Sequence, residues 1–288
     1  MKQALTLVGV FVGSALLLAL MPPSVAPKPM KLVKVWETDT TLRIPESVLY
    51  DGKNTIYVSN IDGKPDGLDG SGFISKVSLD GKIENLHWTS GLNAPKGMGI
   101  YKKRLYVTDM YRLVCINTDN GQAEKTWDGV GKDAFLNDVT VASDGTVYVS
   151  DNRNDKIYRL KDDKLDVWME GEQLNKPNGL LAVGKDKLMI GSTKIGALQV
   201  VDVETKTITK VADGMAATDG IVPEGKGTFF VSDWNGQIFH VNADGTKEQL
   251  LDTRSNKINS ADIDYVSKKK LLIVPTFYKN SLVAYRVE

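Results

Sequence analysis

The chain has 288 residues, of which 42% are hydrophobic and 25% are charged, and its 36 basic residues balance 36 acidic residues. This composition excludes an intrinsically disordered chain, and the balanced charge argues against a surface that binds nucleic acid. The 26 glycines, ten prolines and many short runs rich in valine, isoleucine and tyrosine are typical of an all-β protein with many turns.

The first element along the chain is an apolar segment, residues 4–21, which follows Lys2 and precedes "PPSVAPKP". A basic start, an apolar stretch and a small-residue site that ends at Ala26 are typical of a secretory signal peptide. Pro27 is unfavourable directly after a cleavage site, and about 18 residues is short for a membrane span, so a cleaved signal and a retained anchor both stay open. Either interpretation of residues 1–26 predicts a periplasmic or secreted globular part, residues 27–288, that touches a membrane only through an uncleaved N-terminal segment.

Beyond this segment, a strand similar to "TVYVSD" recurs six times. Its central residues are Tyr57, Tyr106, Tyr148, Met189, Phe230 and Leu272, at steps of 49, 42, 41, 41 and 42 residues. A period of this length built from strands alone predicts a β-propeller with four-stranded blades, and six copies predict six blades. The first step is longer because "NIDGKPDGLDGSG" (residues 60–72) is inserted after the second strand of the first unit.

The sixth unit ends after its third strand, whereas the segment "KLVKVWE" (residues 31–37) supplies a strand before the first unit. If this N-terminal strand pairs in the last blade, the ring closes and its two exposed edges disappear. The sequence therefore predicts one closed, all-β, six-bladed propeller over residues 27–288, with no second domain.

The innermost strand of each unit begins with a similar segment, such as "PESVLY", "LNDVTV" or "TDGIVP". Because equivalent positions of a propeller converge on its central axis, we call the second residue of each segment a hub position. The six hub positions are Glu46, Lys96, Asn137, Asn178, Asp219 and Ala261. Four of them carry carboxylate or amide oxygens, which suit a hard cation, Ca²⁺ in preference to Mg²⁺ although another divalent cation stays open. Polar residues that only solvate a water-filled channel are the simpler alternative, but four donors in register favour a metal site.

These segments resemble the six-bladed propellers of the senescence marker protein (regucalcin)/gluconolactonase family, with a more distant similarity to squid-type diisopropyl fluorophosphatase and the paraoxonases. The resemblance covers residues 31–288. The residues that carry it are Glu46 in "PESVLYD", Asn137–Asp138 in "LNDVTVASDGTVYVSD", Asn178–Gly179 in "KPNGLL" and Asp219–Gly220 in "TDGIVPEGKGTFFVSDWNG". It implies a divalent metal held by the matching Glu, Asn and Asp residues, with Asn137 binding metal or substrate. It also implies metal-dependent hydrolysis of lactones or of phosphorus esters.

Two positions depart from the family pattern. Sugar-lactonase members usually carry an arginine two residues before the "ND" asparagine, where this chain has Phe135. The hub also contains Lys96, whose ammonium group would repel a metal ion or pair with Glu46 in its place. Both departures weaken an assignment to sugar lactones more than they weaken the predicted fold.

For a hydrolase, we expect Asp219 to be a metal ligand and the carboxylate that activates water or attacks directly. Asp138 is predicted to orient Asn137, and Lys96 to stabilise an oxyanion or to pair with Glu46. The loops after the second strands should rim the same end of the propeller and form a pocket for a small-molecule substrate. Their predicted pocket residues are Tyr111, Trp234, Phe277 and Tyr278, beside the insertion as a lid or a solvated loop.

A different class of function also fits the repeat. Propellers of the NHL-repeat type have the same blade period and bind peptides, proteins or small ligands without catalysis, and Lys96 at the hub favours this alternative. Four oxygen donors in register at the hub favour the enzyme, because a binding propeller has no need of them.

Overall fold

The computed structural model describes residues 29–128 and 130–288. The predicted signal peptide or anchor at residues 1–26 lies outside the described residues. Within the described part of the chain, no helix is long and apolar enough to cross a membrane.

Six four-stranded antiparallel sheets form the six blades of a β-propeller. Blade 1 consists of β2 (Pro45–Tyr50), β3 (Thr55–Asn60), β4 (Gly72–Ser78) and β5 (Ile83–Leu92). Blade 2 consists of β6 (Pro95–Tyr101), β7 (Arg104–Asp109), β8 (Arg112–Asn117) and β9 (Ala123–Trp127). Blade 3 consists of β10 (Leu136–Val141), β11 (Val147–Asp151), β12 (Lys156–Lys161) and β13 (Lys164–Glu170). Blade 4 consists of β14 (Pro177–Val183), β15 (Lys187–Ser192), β16 (Ala197–Asp202) and β17 (Ile208–Asp213). Blade 5 consists of β18 (Thr218–Gly225), β19 (Thr228–Asp233), β20 (Gln237–Val241) and β21 (Lys247–Asp252). Blade 6 combines β22 (Asp264–Val266), β23 (Leu271–Pro275) and β24 (Leu282–Val287) with β1 (Leu32–Glu37). Short 3₁₀ turns lie at Glu172–Leu174, Arg254–Asn256, Ser267–Lys269 and Phe277–Lys279.

The predicted closure of the ring is confirmed. Strand β1 pairs antiparallel with β24, so that Leu32 lies opposite Val287 and Glu37 lies opposite Val283. The first described strand of the chain thus forms the outer edge of the last blade and pairs with the last strand.

The hydrophobic core lies between the blades. Six buried clusters fill the six junctions between neighbouring blades. Between blades 3 and 4, for example, Ile157 and Trp168 pack against Leu180 and Ile190. Burial of each such side chain contributes about 1.5–3 kcal/mol, so every blade is stabilised by its two neighbours and not by an interior of its own.

The hub positions lie at an irregularity of the innermost strand. In blades 1 to 5 the ladder between the first two strands shifts directly after the first residue, for example between Pro45 and Ser47 and between Leu136 and Val139. A bulge of this kind frees the residue after the first pair from the ladder and lets its side chain turn toward the axis. This explains why Asn137, a poor strand former, is tolerated there.

Buried hydroxyl groups of the second strand support these bulges. Ser59 Oγ accepts the N–H of Ser47 at 2.9 Å, Ser150 Oγ accepts the N–H of Asp138 at 2.9 Å, and Ser232 Oγ accepts the N–H of Gly220 at 2.8 Å. Each hydroxyl therefore satisfies a backbone donor that the bulge removes from the ladder. The serine of the recurring "VSD" and "VSN" segments is the signal in the sequence for this support.

Glycine after the hub position lets the inner strands approach one another closely. A Cβ atom on Gly179 would lie only 1.7 Å from the carbonyl oxygen of Asp219, which belongs to the next blade. A side chain at this position would therefore push blades 4 and 5 apart, and only glycine fits.

Blade 6 differs from the predicted pattern. Its innermost strand, β22, begins only at Asp264, so the preceding segment with Ala261 is not part of the strand. Instead, the N–H of Asp262 donates to the carbonyl oxygen of Glu46 at 2.9 Å, and Ser47 and Asp262 form a parallel bridge. This segment pairs with blade 1, which explains why the predicted six-residue strand is only half formed.

Candidate functional site

One cavity of about 320 Å³ lies at the end of the propeller where the innermost strands begin, and we call it the hub cavity. Its walls are formed by Glu46, Ile61, Pro65, Lys96, Phe135, Asn137, Asn152, Asn178, Thr193, Ala217, Asp219, Trp234, Phe277 and Tyr278. The structure therefore brings together all four predicted oxygen donors, together with Lys96 and three of the four predicted pocket aromatics. The sixth hub residue, Ala261, is fully buried in an apolar cluster with Ile61 and Phe277.

The hub oxygens are buried, and two of them have no hydrogen-bond partner. Glu46 is 5% exposed and Asp219 is 3% exposed, and both line the hub cavity. Glu46 Oε2 and Asn178 Oδ1 accept no hydrogen bond from the described residues. A buried polar oxygen without a partner costs on the order of 1–3 kcal/mol, more when it is charged, so these two atoms point to a ligand that satisfies them.

Burial dominates the electrostatics of the two hub carboxyl groups. Burial raises the pKa of Glu46 well above its ordinary value, and the negative charges of Asp219 and Asp262 raise it further. Burial likewise raises the pKa of Asp219, with Asp262 and Asp233 acting in the same direction. A cation in the hub cavity would oppose both effects and favour the ionised forms.

Lys96 does not form the predicted pair with Glu46. Its Nζ atom donates to the carbonyl oxygen of Ala94 at 2.9 Å, lies 3.5 Å from Met110 Sδ and stands 4.5 Å from the centre of the Phe135 ring. Among the described residues, no carboxylate oxygen lies within ion-pair distance of 4.0 Å of this atom. Phe135 stands where sugar-lactonase members usually carry an arginine. The face of its ring contacts the ammonium group of Lys96.

The hub cavity offers a hard cation a mixture of carboxylate and amide oxygens. No three His, Cys, Asp or Glu side chains among the described residues come together as a metal site, and the hub supplies only two carboxylates. Asn137 and Asn178 add amide oxygens, which Ca²⁺ accepts beside carboxylates and water. The unpartnered oxygens of Glu46 and Asn178 support this fit, whereas the charge of Lys96 opposes it.

Aromatic side chains form one wall of the hub cavity. Trp234 packs edge-on against Phe277, with ring centres 5.4 Å apart, and Phe277 packs edge-on against Tyr278 at 4.7 Å. Pro65, which sequence reasoning did not single out, reaches the same cavity from the insertion at residues 60–72. The fourth predicted aromatic, Tyr111, does not line the cavity and packs instead against an apolar cluster with Ala94 and Met110.

Two further residues that line the hub cavity, Asn152 and Thr193, are polar. Asn152 donates from Nδ2 to Thr193 Oγ1 at 3.2 Å and to the carbonyl oxygen of Lys176 at 3.2 Å, and Thr193 Oγ1 donates to the same carbonyl at 3.0 Å. The hub cavity is therefore lined by aromatic side chains from blades 5 and 6 and by polar side chains from blades 3 and 4, a mixture that suits a small amphipathic organic molecule.

Asp138 lies behind the hub cavity, in a second cavity of about 200 Å³ that the innermost strands of all six blades surround. We call this second cavity the axial channel. The carboxylate of Asp138 accepts the N–H of Val139 at 2.6 Å and the N–H of Leu180 at 2.5 Å. It thus links blade 3 to blade 4, in place of the predicted contact with the Asn137 side chain.

Comparison with solved structures agrees with the architecture. A catalytically inactive virginiamycin B lyase from Staphylococcus aureus with quinupristin shares 15% identity over 90% of this chain and 99% of its own, with a TM-score of 0.63. A streptogramin B lyase shares 13% identity over 90% of this chain and 98% of its own, with a TM-score of 0.65. A presumed gluconolactonase shares 15% identity over 91% of this chain and 93% of its own, with a TM-score of 0.68.

At these identities the similarity establishes the propeller fold and not an activity. No family model and no curated relative matches the chain. The resemblance to gluconolactonase-like propellers that the sequence suggests thus extends to the three-dimensional fold.

Proposed function

We propose that this protein is a Ca²⁺-dependent hydrolase that cleaves a small lactone, ester or phosphotriester in the hub cavity. The observation that carries the proposal is the pair of buried, unpartnered oxygens, Glu46 Oε2 and Asn178 Oδ1, which come from blades on different sides of the axis and line one cavity. The comparison structures bear the names of enzymes, and a gluconolactonase is among those names.

Glu46, Asn137, Asn178 and Asp219 would hold the cation. When bound, Ca²⁺ supplies a Lewis acid that polarises a carbonyl or phosphoryl oxygen. Asp219 lies in the cavity as the carboxylate that removes a proton from the attacking water or attacks the substrate itself. The ammonium form of Lys96 faces the same cavity and stabilises negative charge that develops on the substrate oxygen.

The remaining residues position the substrate and the catalytic groups. Trp234, Phe277 and Tyr278 bind the hydrocarbon part of the substrate and exclude water from that side. Asp138 acts at a distance from the substrate, because its bonds to the N–H groups of Val139 and Leu180 fix the strands that carry Asn137 and Asn178. In this assignment Asp138 is a positioning residue.

The predicted location agrees with this chemistry. A periplasmic or secreted protein, whether released or tethered by its N-terminal segment, meets Ca²⁺ at concentrations that suit sites with a dissociation constant of about 10⁻⁴–10⁻³ M. Cell fractionation with an antibody against the propeller tests this part of the proposal, which predicts an exported form and no cytoplasmic one.

The first experiment is a calorimetric titration of the chelator-treated protein with Ca²⁺, beside Asp219→Ala and a control, Asp252→Asn. Asp252 pairs with Arg254 on the surface, away from the hub cavity. We expect one site that is lost in Asp219→Ala and kept in Asp252→Asn, followed by turnover in a panel of lactones and phosphotriesters. No binding and no turnover would contradict the hydrolase and leave the non-catalytic binding propeller as the function to pursue.

A further inference from the structure

Lys96 is the only lysine among the described residues whose side chain is buried, with 2% of its surface exposed. A lysine ammonium group can donate three hydrogen bonds. That of Lys96 donates to one carbonyl oxygen, that of Ala94. Its other contacts are the sulfur of Met110 and the face of Phe135. The amine therefore lies in the wall of the hub cavity, and no carboxylate of the described residues forms an ion pair with it.

Such surroundings favour the neutral amine. Burial lowers the pKa of Lys96 to about 8, although the charges of Glu46, Asp109 and Asp66 oppose the shift and Arg153 supports it. Since an ordinary lysine has a pKa of about 10.4, a surface lysine is neutral in fewer than about one molecule in a thousand at pH 7, whereas Lys96 is neutral in about one in ten. A neutral primary amine in the wall of a cavity that a small molecule can enter is a nucleophile.

We propose that Lys96 forms an imine with small aldehydes or ketones that enter the hub cavity. The nitrogen lone pair attacks the carbonyl carbon and gives a carbinolamine, and loss of one water molecule gives the C=N bond. The overall exchange joins one amine and one carbonyl group and releases one water, so it needs no oxidant, reductant or metal. The hydroxyl group of the carbinolamine leaves as water, together with a proton that the nitrogen gives up.

The cavity wall indicates which carbonyl compounds fit. Phe135 lies against Lys96, and Trp234 and Phe277 line the same cavity of about 320 Å³. We therefore expect aldehydes and ketones that carry an aromatic ring or a short alkyl group to react, and highly charged ones to react slowly.

This inference is independent of the proposed hydrolysis. Hydrolysis uses the ammonium form of Lys96 and a bound cation, whereas imine formation uses the free amine and proceeds in a chelator. Either activity can therefore fail while the other is present.

The test is reductive trapping of the purified, chelator-treated protein with benzaldehyde and sodium cyanoborohydride, followed by peptide mass spectrometry. The mapping separates Lys96 from surface lysines and from the α-amino group, so the result on the unaltered protein decides the question even if a variant misfolds. We expect Lys96 to be labelled at pH 7 at least tenfold faster than any other lysine, because more of its amine is neutral at that pH.

Lys96→Arg removes the nucleophile and keeps a cation, and it should abolish the fast label. The matched control is Lys76→Arg: Lys76 also has a pKa lowered by burial and stands 4.2 Å from the Trp88 ring, but it lies outside the hub cavity. Its replacement should leave labelling of Lys96 unchanged. Uniform labelling of all lysines, or an unlabelled Lys96, would overturn the proposal.

Discussion

The hub cavity and the axial channel are both lined by acidic residues at or near the start of the innermost strands, but the hydrogen bonds of these residues differ. In the axial channel each carboxylate has a donor from the protein: Asp138 accepts two backbone N–H groups, Asp262 accepts the hydroxyl of Ser47 at 2.5 Å, and Asp264 accepts the N–H of Tyr50 at 2.6 Å. In the hub cavity, Glu46 Oε2 and Asn178 Oδ1 have no donor among the residues that the structure describes.

The difference separates carboxylates that bond to the protein from oxygens without a protein partner, to which the proposed function gives a ligand-binding role. The bonds from Asp138 to blade 4, and from Asp262 and Asp264 to blade 1, each join neighbouring blades where the inner strands converge. These carboxylates hold the ring together. Glu46 Oε2 and Asn178 Oδ1 accept no hydrogen bond from the described residues, and in the proposed function they bind the cation.

The largest expected effect tests the ligand-binding role. Asp219→Asn should reduce turnover of a hydrolysed lactone or phosphotriester by at least ~1000-fold, because it removes the base and replaces a charged ligand with a neutral amide oxygen. Steady-state kinetics at saturating Ca²⁺ measures this loss, and the circular dichroism spectrum should be unchanged. Turnover above a tenth of the original rate would remove Asp219 from the mechanism.

The second-largest expected effect tests the structural role of Asp138. Asp138→Ala should lower the free energy of unfolding by about 2–4 kcal/mol, because it leaves the N–H groups of Val139 and Leu180 buried without acceptors. Urea unfolding of the chelated protein measures this change. A loss below about 0.5 kcal/mol would show that the axial channel does not depend on this carboxylate.

The pH dependence of stability gives an intermediate effect. Burial raises the pKa of Asp138 to about 7 and the pKa of Asp264 to about 6. Between about pH 4 and pH 7 the folded state therefore binds more protons than the unfolded state, so the free energy of unfolding should fall as pH rises. Thermal unfolding of the chelated protein across this range should show a decreasing midpoint, with a shallower slope in Asp138→Asn. A midpoint that rises with pH would contradict the raised values.

We expect the smallest change in the free energy of unfolding when the hub residue Glu46 is replaced. In a chelator, Glu46→Gln should change the free energy of unfolding by less than about 1 kcal/mol, or increase it, because it replaces an unpartnered buried acid with a neutral amide. The same variant should lose the stabilisation that Ca²⁺ gives to the unaltered protein. Thermal unfolding with and without Ca²⁺ checks both expectations, and a strongly destabilised variant would place Glu46 with the structural carboxylates.

Much of the fold was predictable, because the strand period and the spare N-terminal strand are visible in one sequence. The convergence of Glu46, Asn137, Asn178 and Asp219 followed from their equivalent places in the repeat. The direction of long side chains did not follow, since the path of Lys96 depends on the carbonyl of Ala94 and the ring of Phe135. Likewise, the repeat could not show that the segment around Asp262 pairs with blade 1, because such pairing between blades has no signal in the spacing.

The pairing of β1 with β24 has a consequence for synthesis and folding. Leu32 meets Val287 across nearly the whole chain, so the edge that β1 presents stays open until the last strand has emerged. Non-local pairing of this kind is slow, and an unpaired edge strand is a template for association with other chains. A chain that stops before Leu282 would leave two strand edges unpaired, one on β1 and one on β23, so the last six-residue strand is what closes the ring.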